Sequence, residues 1–210
     1  MKEVLLTSAY LAPVQYYTKL FAADCVTEER HDHYVKQTYR NRCVIAGPSG
    51  PLALTIPVEG STSPHRATCD VRISDHGNWR HQHWTALVSA YESSPFFEFY
   101  ADDLRPHYER RYDYLVDFNE ALQRTMCDLL DLRPHIRLTE RYVEAPAPGV
   151  ADFRERIRPK LPYADDETFA PVPYYQIFAQ RLGFLPNLSI VDLLFNMGPE
   201  ARLVLRDGCR

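Results

Sequence analysis

The first thirty residues leave little freedom. Val4 to Ser8 reads as a short buried strand, and Val14, Tyr17, Leu20 and Phe21 then recur at helical spacing across Val14 to Ala23. A second strand near Cys25 to Glu28 follows. This strand–helix–strand order is a βαβ unit, and it commits the chain to an α/β fold.

The pattern then changes. Cys43-Val44-Ile45 and Leu52 to Ile56 are β-prone runs flanking Gly47-Pro48-Ser49-Gly50, which predicts a hairpin with a four-residue loop. Cys69 to Ile73 is a candidate further strand. The remainder is expected to be mainly helical. Asn78 stands as an N-cap before Trp84, Leu87, Val88 and Tyr91; Pro95 opens a helix around Phe96 to Leu104; Asp113 caps a third through Leu132. Ser189 and Asp192 resemble a capping box for a closing helix that Gly198 and Pro199 end. Between Ala145 and Pro173 a proline-rich stretch is too long for an ordinary connection, which predicts a functional flap or a mobile segment. The expected organisation is one domain over 1–210, sheet-rich over 1–75 and helix-rich over 76–210.

Composition narrows the classes. Of 210 residues 45% are hydrophobic and 25% charged, the range of ordinary globular chains, and the length supports one core without a disulfide or metal staple. A formal charge of −4 gives no general attraction to nucleic acid or anionic lipid, so an anion site must be local. Five scattered cysteines without a C-x-x-C pair read as reduced thiols. The Val4-Leu5-Leu6 run is too short for a signal peptide, and no run reaches the ~20 apolar residues of a membrane helix. A cytoplasmic location is expected.

Two polar clusters could carry chemistry. Lys36, Arg40, Asn41 and Arg42 offer fixed donors for a phosphate or carboxylate, against the alternative of a solvated basic edge before the hairpin. Arg80, His81 and His83 lie at the start of the tryptophan-bearing helix, where a positive helix end favours an anion and a histidine can move a proton. The alternative there is a core histidine bonded to backbone. In the closing stretch Asn187, Asp192 and Asn196 place polar groups around a short apolar helix, as caps or as the face of a site. Glu28, Glu29, His31, His33 and Cys25 are types that suit zinc but lack its spacing, so metal is disfavoured. No Walker loop, G-x-G-x-x-G or G-x-S-x-G elbow is present, so the cofactor is left unknown.

Taken together these stretches resemble the WbqC-like family. Tyr10-Leu11, Tyr16, Lys19 and Leu20 match its segment after the first strand, Lys36 and Asn41-Arg42 its Lys and Asn-Arg, and Leu54-Thr55-Ile56-Pro57-Val58 its hairpin strand. His83-Trp84, Tyr91, Pro95-Phe96-Phe97 and the run from Asn187 to Pro199 match its helical part and closing signature. The His-Gln-Pro usual after the family's first strand is replaced by Leu6-Thr7-Ser8, and Gln15 stands where glycine is usual. The resemblance implies a group transferase of aminoacyl, glycyl or related acyl type on an anionic substrate in surface polysaccharide biosynthesis. It brings Lys19 into the substrate site, and the missing histidine's role is either absent or relocated to His81 or His83. The expected partner is a small anionic metabolite or carrier-linked substrate. The rival is a non-catalytic binding or scaffold protein with an anion pocket.

Overall fold

The computed structural model describes residues 2–60 and 65–210. Its first elements are β1 (Glu3–Thr7), α1 (Val14–Ala22) and β2 (Cys25–Glu29), with β1 and β2 parallel in the register Glu3↔Cys25 to Thr7↔Glu29. The opening βαβ unit is therefore present. The hairpin follows as β3 (Arg42–Gly47) and β4 (Gly50–Thr55). Gly47 pairs with Gly50, so the connection is the two residues Pro48 and Ser49 rather than four. Gly50 permits this tight return by adopting φ 128°, which side-chain-bearing residues avoid.

The second half is mainly helical: α2 (Trp79–Tyr91), α3 (Phe97–Glu109) and α4 (Leu115–Leu129), then α5 (Ala179–Leu182), α6 (Ile190–Met197) and α7 (Ala201–Asp207). It also supplies two strands that periodicity does not reveal, β5 (Ile136–Leu138) and β6 (Val150–Asp152). These complete a parallel sheet of order β5-β2-β1-β6. β1 is central, and its Val4, Leu5 and Leu6 are fully buried, as a parallel strand covered on both faces requires. The hairpin stays outside this sheet and packs its β3 strand on α2 and α6. One apolar cluster joins β1, α1, α4 and α6 through Leu6, Tyr17, Phe118, Leu122, Ile190 and Phe195. No helix among the described residues is long and apolar enough to cross a membrane.

Several expected elements differ. Cys69 to Ile73 is not a strand: Thr68–Asp70 is a 3₁₀ turn, and only single bridges Val58↔Ile73 and Arg72↔Tyr114 follow. Asp113 does not cap α4, because its carbonyl accepts from the Ile73 amide and Tyr114 takes the boundary position. The capping box at Ser189 does not form either. The Ser189 hydroxyl donates to the Leu11 carbonyl at 2.7 Å, and Asp192 turns into the core. Gly198 does end α6, at φ 52°, and any Cβ there would sit 2.5 Å from the Phe96 ring.

The proline-rich stretch is neither flap nor loose end. It contains β6 and is held as a strap across α1. The Lys19 Nζ, on a side chain 1% exposed, lies 2.6 Å from the Asp166 carboxylate and donates to Thr168 Oγ1 at 2.8 Å. Gln15 Nε2 donates to the same carboxylate at 2.9 Å, and the Ala170 amide bonds the Gly208 carbonyl at 3.0 Å. Burial pushes the Asp166 carboxyl up, but its bonds from Lys19, Thr168 and Gln15 outweigh this and hold it below the usual range. Removing the carboxylate strands a buried cation, which costs about 3–5 kcal/mol. Asp166→Ala should therefore lower the unfolding free energy measured in urea by that order and open the 153–173 region to limited proteolysis. An unfolding free energy within 1 kcal/mol of wild type (about the effect of an exposed pair) would show that the strap is held by other contacts.

Candidate functional site at the carboxyl ends of the parallel strands

In an open parallel sheet ligands bind beyond the carboxyl ends of the strands, where neighbouring strands send their chains in different directions. Here β1 is followed by a crossover to β2, while β6 is laid on the opposite side of β1 by a much later return. The residues that leave these strand ends are Ser8 after β1, Arg30 to Asp32 after β2, and Phe153 to Arg158 after β6. They converge on the segment 34–41, which enters the hairpin.

Buried charge collects at this edge. Arg40, 1% exposed, forms an ion pair with Asp32 and lies 3.6 Å from Glu155. Asp32 also accepts from Thr68 Oγ1 at 2.5 Å. Arg158 pairs with Glu155. Below them Asn119 Nδ2 donates to the Arg40 carbonyl at 2.8 Å and to Ser8 Oγ at 3.1 Å, so α4 supports both the strand end and the arginine. Next to it Glu29 is wholly buried, accepting from the His31 amide, Thr139 Oγ1 and the Val143 amide. Arg154 stands 3.5 Å from Glu29 and is clamped on Asp152 at 2.8 Å.

Unlike these saturated groups, several donors in the same neighbourhood have no partner among the described residues. Tyr34 Oη and the Nε atoms of Arg40, Arg66 and Arg158 are buried and unbonded, as are Asn41 Oδ1 and Asn119 Oδ1. A buried unpaired donor costs about 1–3 kcal/mol, and four in one region call for an acceptor that reaches them. The charges act on one another across the gap between them. Burial raises the Tyr34 hydroxyl to about 12, opposed by the nearby charges of Arg66, Arg40 and Arg42. Burial lowers Arg158, and the charge of Arg40 lowers it further. Around Tyr34 the guanidinium groups of Arg40, Arg66 and Arg158 outnumber the carboxylates of Asp32 and Glu155 by one, an excess that Glu29 and Asp152, with Arg154 between them, offset across the wider edge. Such a cluster can hold a phosphate or carboxylate through charge-assisted bonds, with Tyr34 protonated at neutral pH as a further donor.

The model of the WbqC-like protein family matches residues 8–157. The chain belongs to that family. The matched span begins at Ser8 and stops one residue short of Arg158, so it contains nearly all of the cluster. The "Uncharacterized protein Rv1507c" of Mycobacterium tuberculosis is 28% identical over 228 aligned positions, covering 98% of this chain and 98% of the relative. No solved structure gives a significant match.

In this WbqC-like chain the expected site residues fall into separate places. Arg40 lies in the cationic cluster. Asn41 borders it but spends its amide on the Ile56 carbonyl at 2.8 Å. Arg42 donates to Thr55 Oγ1 at 3.0 Å on the hairpin surface, and Lys36 is exposed. Arg80 and His81 line a different cavity at the start of α2. His83, on the same helix, is buried: its Nδ1 meets Tyr10 Oη at 3.0 Å, and Tyr10 in turn meets Tyr108 Oη at 2.8 Å. Lys19 holds the strap. Asn187 accepts from the Gln15 amide at 2.9 Å and thereby fastens the start of α1. Asp192 accepts from Tyr91, Tyr174 and Gln176 at 2.9, 2.7 and 2.8 Å, and Asn196 donates to the Asp192 carbonyl. The segment before the hairpin, the start of α2 and the closing helix thus hold their polar groups in separate places.

Asp32, Tyr34, Arg66, Asn119, Glu155 and Arg158 were not anticipated. Asp32 stands between His31 and His33, in a stretch whose residue types point to metal rather than to an arginine partner. Arg158 was hidden because β6 is three residues long, too short for alternation to show. The signal that could have found it is the run Arg154-Glu155-Arg156-Ile157-Arg158, whose charges surround one buried isoleucine.

His83 gives a pH dependence. Burial lowers its imidazole to about 4 from an ordinary value near 6.5, so the folded chain resists a proton that the unfolded chain accepts. Stability is full above about pH 6.5 and is lost as pH falls towards 4, by about 3 kcal/mol in total. Urea unfolding of wild type and His83→Gln at pH 7.5 and 4.5 should show a steeper acid loss in wild type. Equal losses in the two proteins would place the acid sensitivity elsewhere.

Proposed function

We propose that this WbqC-like protein binds an anionic substrate at the carboxyl ends of its parallel strands and acts as a group transferase of aminoacyl, glycyl or related acyl type. The observation that carries the reading is the group of buried, unpaired donors on Tyr34, Arg40, Arg66 and Arg158. Family membership supports a role related to polysaccharide biosynthesis. In this reading Arg40 and Arg158 hold the anionic group, and Asn119 and Asp32 fix the position of Arg40 from behind. Acyl transfer develops negative charge on a carbonyl oxygen. Donors fixed beforehand stabilise that charge without reorganising, each worth about 3–4 kcal/mol in comparable sites. The Tyr34 hydroxyl, raised to about 12, is the donor assigned to this task.

A second reading is a binding protein without chemistry. It is favoured by the carboxylates at the strand ends, since Asp32 and Glu29 are both fully engaged by donors and ion pairs. One pair of variants separates the readings. A bound anion at 100 times its Kd should stabilise wild type by about 2.7 kcal/mol in a thermal-shift screen of phosphorylated sugars, nucleotides and acyl donors. Arg158→Ala should abolish that shift; an undiminished shift would remove Arg158 from the site. Tyr34→Phe should keep the shift and lose about tenfold to a thousandfold in turnover if the protein is a transferase. A Tyr34→Phe protein with unchanged turnover would leave the hydroxyl without a catalytic part.

A further inference from the structure

A cavity of about 450 Å³ opens at the start of α2, lined by Trp79, Trp84, Tyr108, Arg80, Arg105 and Arg111 among others. It falls in the size range of sites for small organic ligands. Its aromatic walls are built, not incidental. Trp84 packs 5.8 Å from Tyr108 and 6.3 Å from Phe97, and Trp79 stands edge-on to Phe118 at 5.7 Å, so the rings are held by core neighbours. Trp79 is 4% exposed, yet its Nε1 has no hydrogen-bond partner among the described residues.

The rim is cationic. Arg80 and Arg111 share one carboxylate, that of Asp75, at 2.8 and 3.3 Å, and Arg105 pairs with Glu109 at 2.7 Å. Three guanidinium groups thus face two carboxylates, and Arg111 and Arg105 are solvent-exposed enough to exchange these pairs for a ligand. The same rim carries the amino end of α2, a helix of thirteen residues whose Asn78 boundary residue makes no side-chain cap. Its first-turn amides, at Trp79, Arg80 and His81, have no partner within the helix and add to the attraction for an anion.

The geometry points to a site for a planar ring bearing phosphate, a nucleoside diphosphate in class. The ring lies against Trp84 and Tyr108, and its phosphates meet Arg80, Arg111 and the amino end of α2. Aromatic walls without the cations would suit a neutral ring, and the cations without the walls would suit inorganic phosphate; the cavity offers both together. This inference does not depend on the cluster at the strand ends, since the two share no residue.

Trp79 and Trp84 are the only tryptophans of the chain, so tryptophan emission reports on this cavity alone. Titration of the full-length protein with UDP or ADP, excited at the red edge of tryptophan absorption, should quench emission saturably. Uridine and inorganic phosphate should each bind at least about tenfold more weakly, and Arg80→Ala and Arg111→Ala should each weaken the diphosphate about tenfold. Arg111 is 80% exposed, so its variant keeps the fold and circular dichroism should match wild type. Arg158→Ala should leave the quenching unchanged. The assignment is overturned if neither diphosphate quenches saturably, or if phosphate alone competes as well as the diphosphates. It also fails if Arg158→Ala abolishes the signal while Arg80→Ala does not, which would put the nucleotide at the strand ends.

Discussion

The position of β6 beside β1 decides what this molecule can do. The contact is slight: three residues in parallel register, continued where the Phe153 amide donates to the Leu5 carbonyl at 2.9 Å. Yet it carries Arg154, Glu155 and Arg158 to the edge where Ser8, Asp32 and Arg40 already stand. A strand so short cannot hold itself by backbone pairing. What holds it is the strap behind it, through the ion pair between Lys19 and Asp166 and the packing of the Lys19 ammonium 4.8 Å over the Phe153 ring. A buried ion pair of this kind is a costly way to gain stability, because both groups lose their hydration. It does fix one geometry, since Thr168 bonds both partners and Gln15 holds the Asp166 carboxylate as well.

The same logic separates the buried polar groups into two kinds. Asp192, Glu29 and the Tyr10–His83 pair are saturated, each atom answered by a donor or acceptor within the chain. Burial raises the Asp192 carboxyl, opposed by its bonds from Tyr174, Tyr91 and Gln176, and no cation stands among these partners. Such groups specify how α6 and α2 pack against neighbouring segments. The Nε atoms of Arg40, Arg66 and Arg158 are different in kind: charged, sheltered and unanswered. A fold retains unanswered donors at a loss unless something outside the chain completes them.

The sequence made the local elements legible and hid what their convergence produced. The βαβ opening, the hairpin and four of the helices follow from apolar spacing and from Gly, Pro and Asn at turn positions. β5 and β6 do not, because three residues carry no period and their pairing partners lie more than a hundred positions away. Lys19, Asn187 and Asp192 were recognisable as unusual, a lysine and two polar side chains amid apolar runs. Their spacing could not say whether they served a ligand or a neighbouring helix. Asp192 settles among two tyrosines and a glutamine, and that choice is made by α2 and the 174–176 segment, not by its own helix.

Resemblance reached further than pattern, and its reach has a physical basis. The match covers residues 8–157, the part of the chain that builds β2, the hairpin, the arginine segment and β6. It thereby spans all three strand ends at the arginine-bearing edge while leaving out α6 and α7. The histidine usual just after the family's first strand is replaced here: Ser8 occupies that end, and its hydroxyl is taken by Asn119. Any proton transfer at the strand ends must therefore be carried by groups other than the one that the family pattern places there. His83 is poorly suited to replace it, held neutral behind Tyr10 and away from solvent. The charge at this edge comes from arginine, which cannot shed its proton near neutral pH. On the proposed reading, the edge holds an anion first and moves a proton only secondarily.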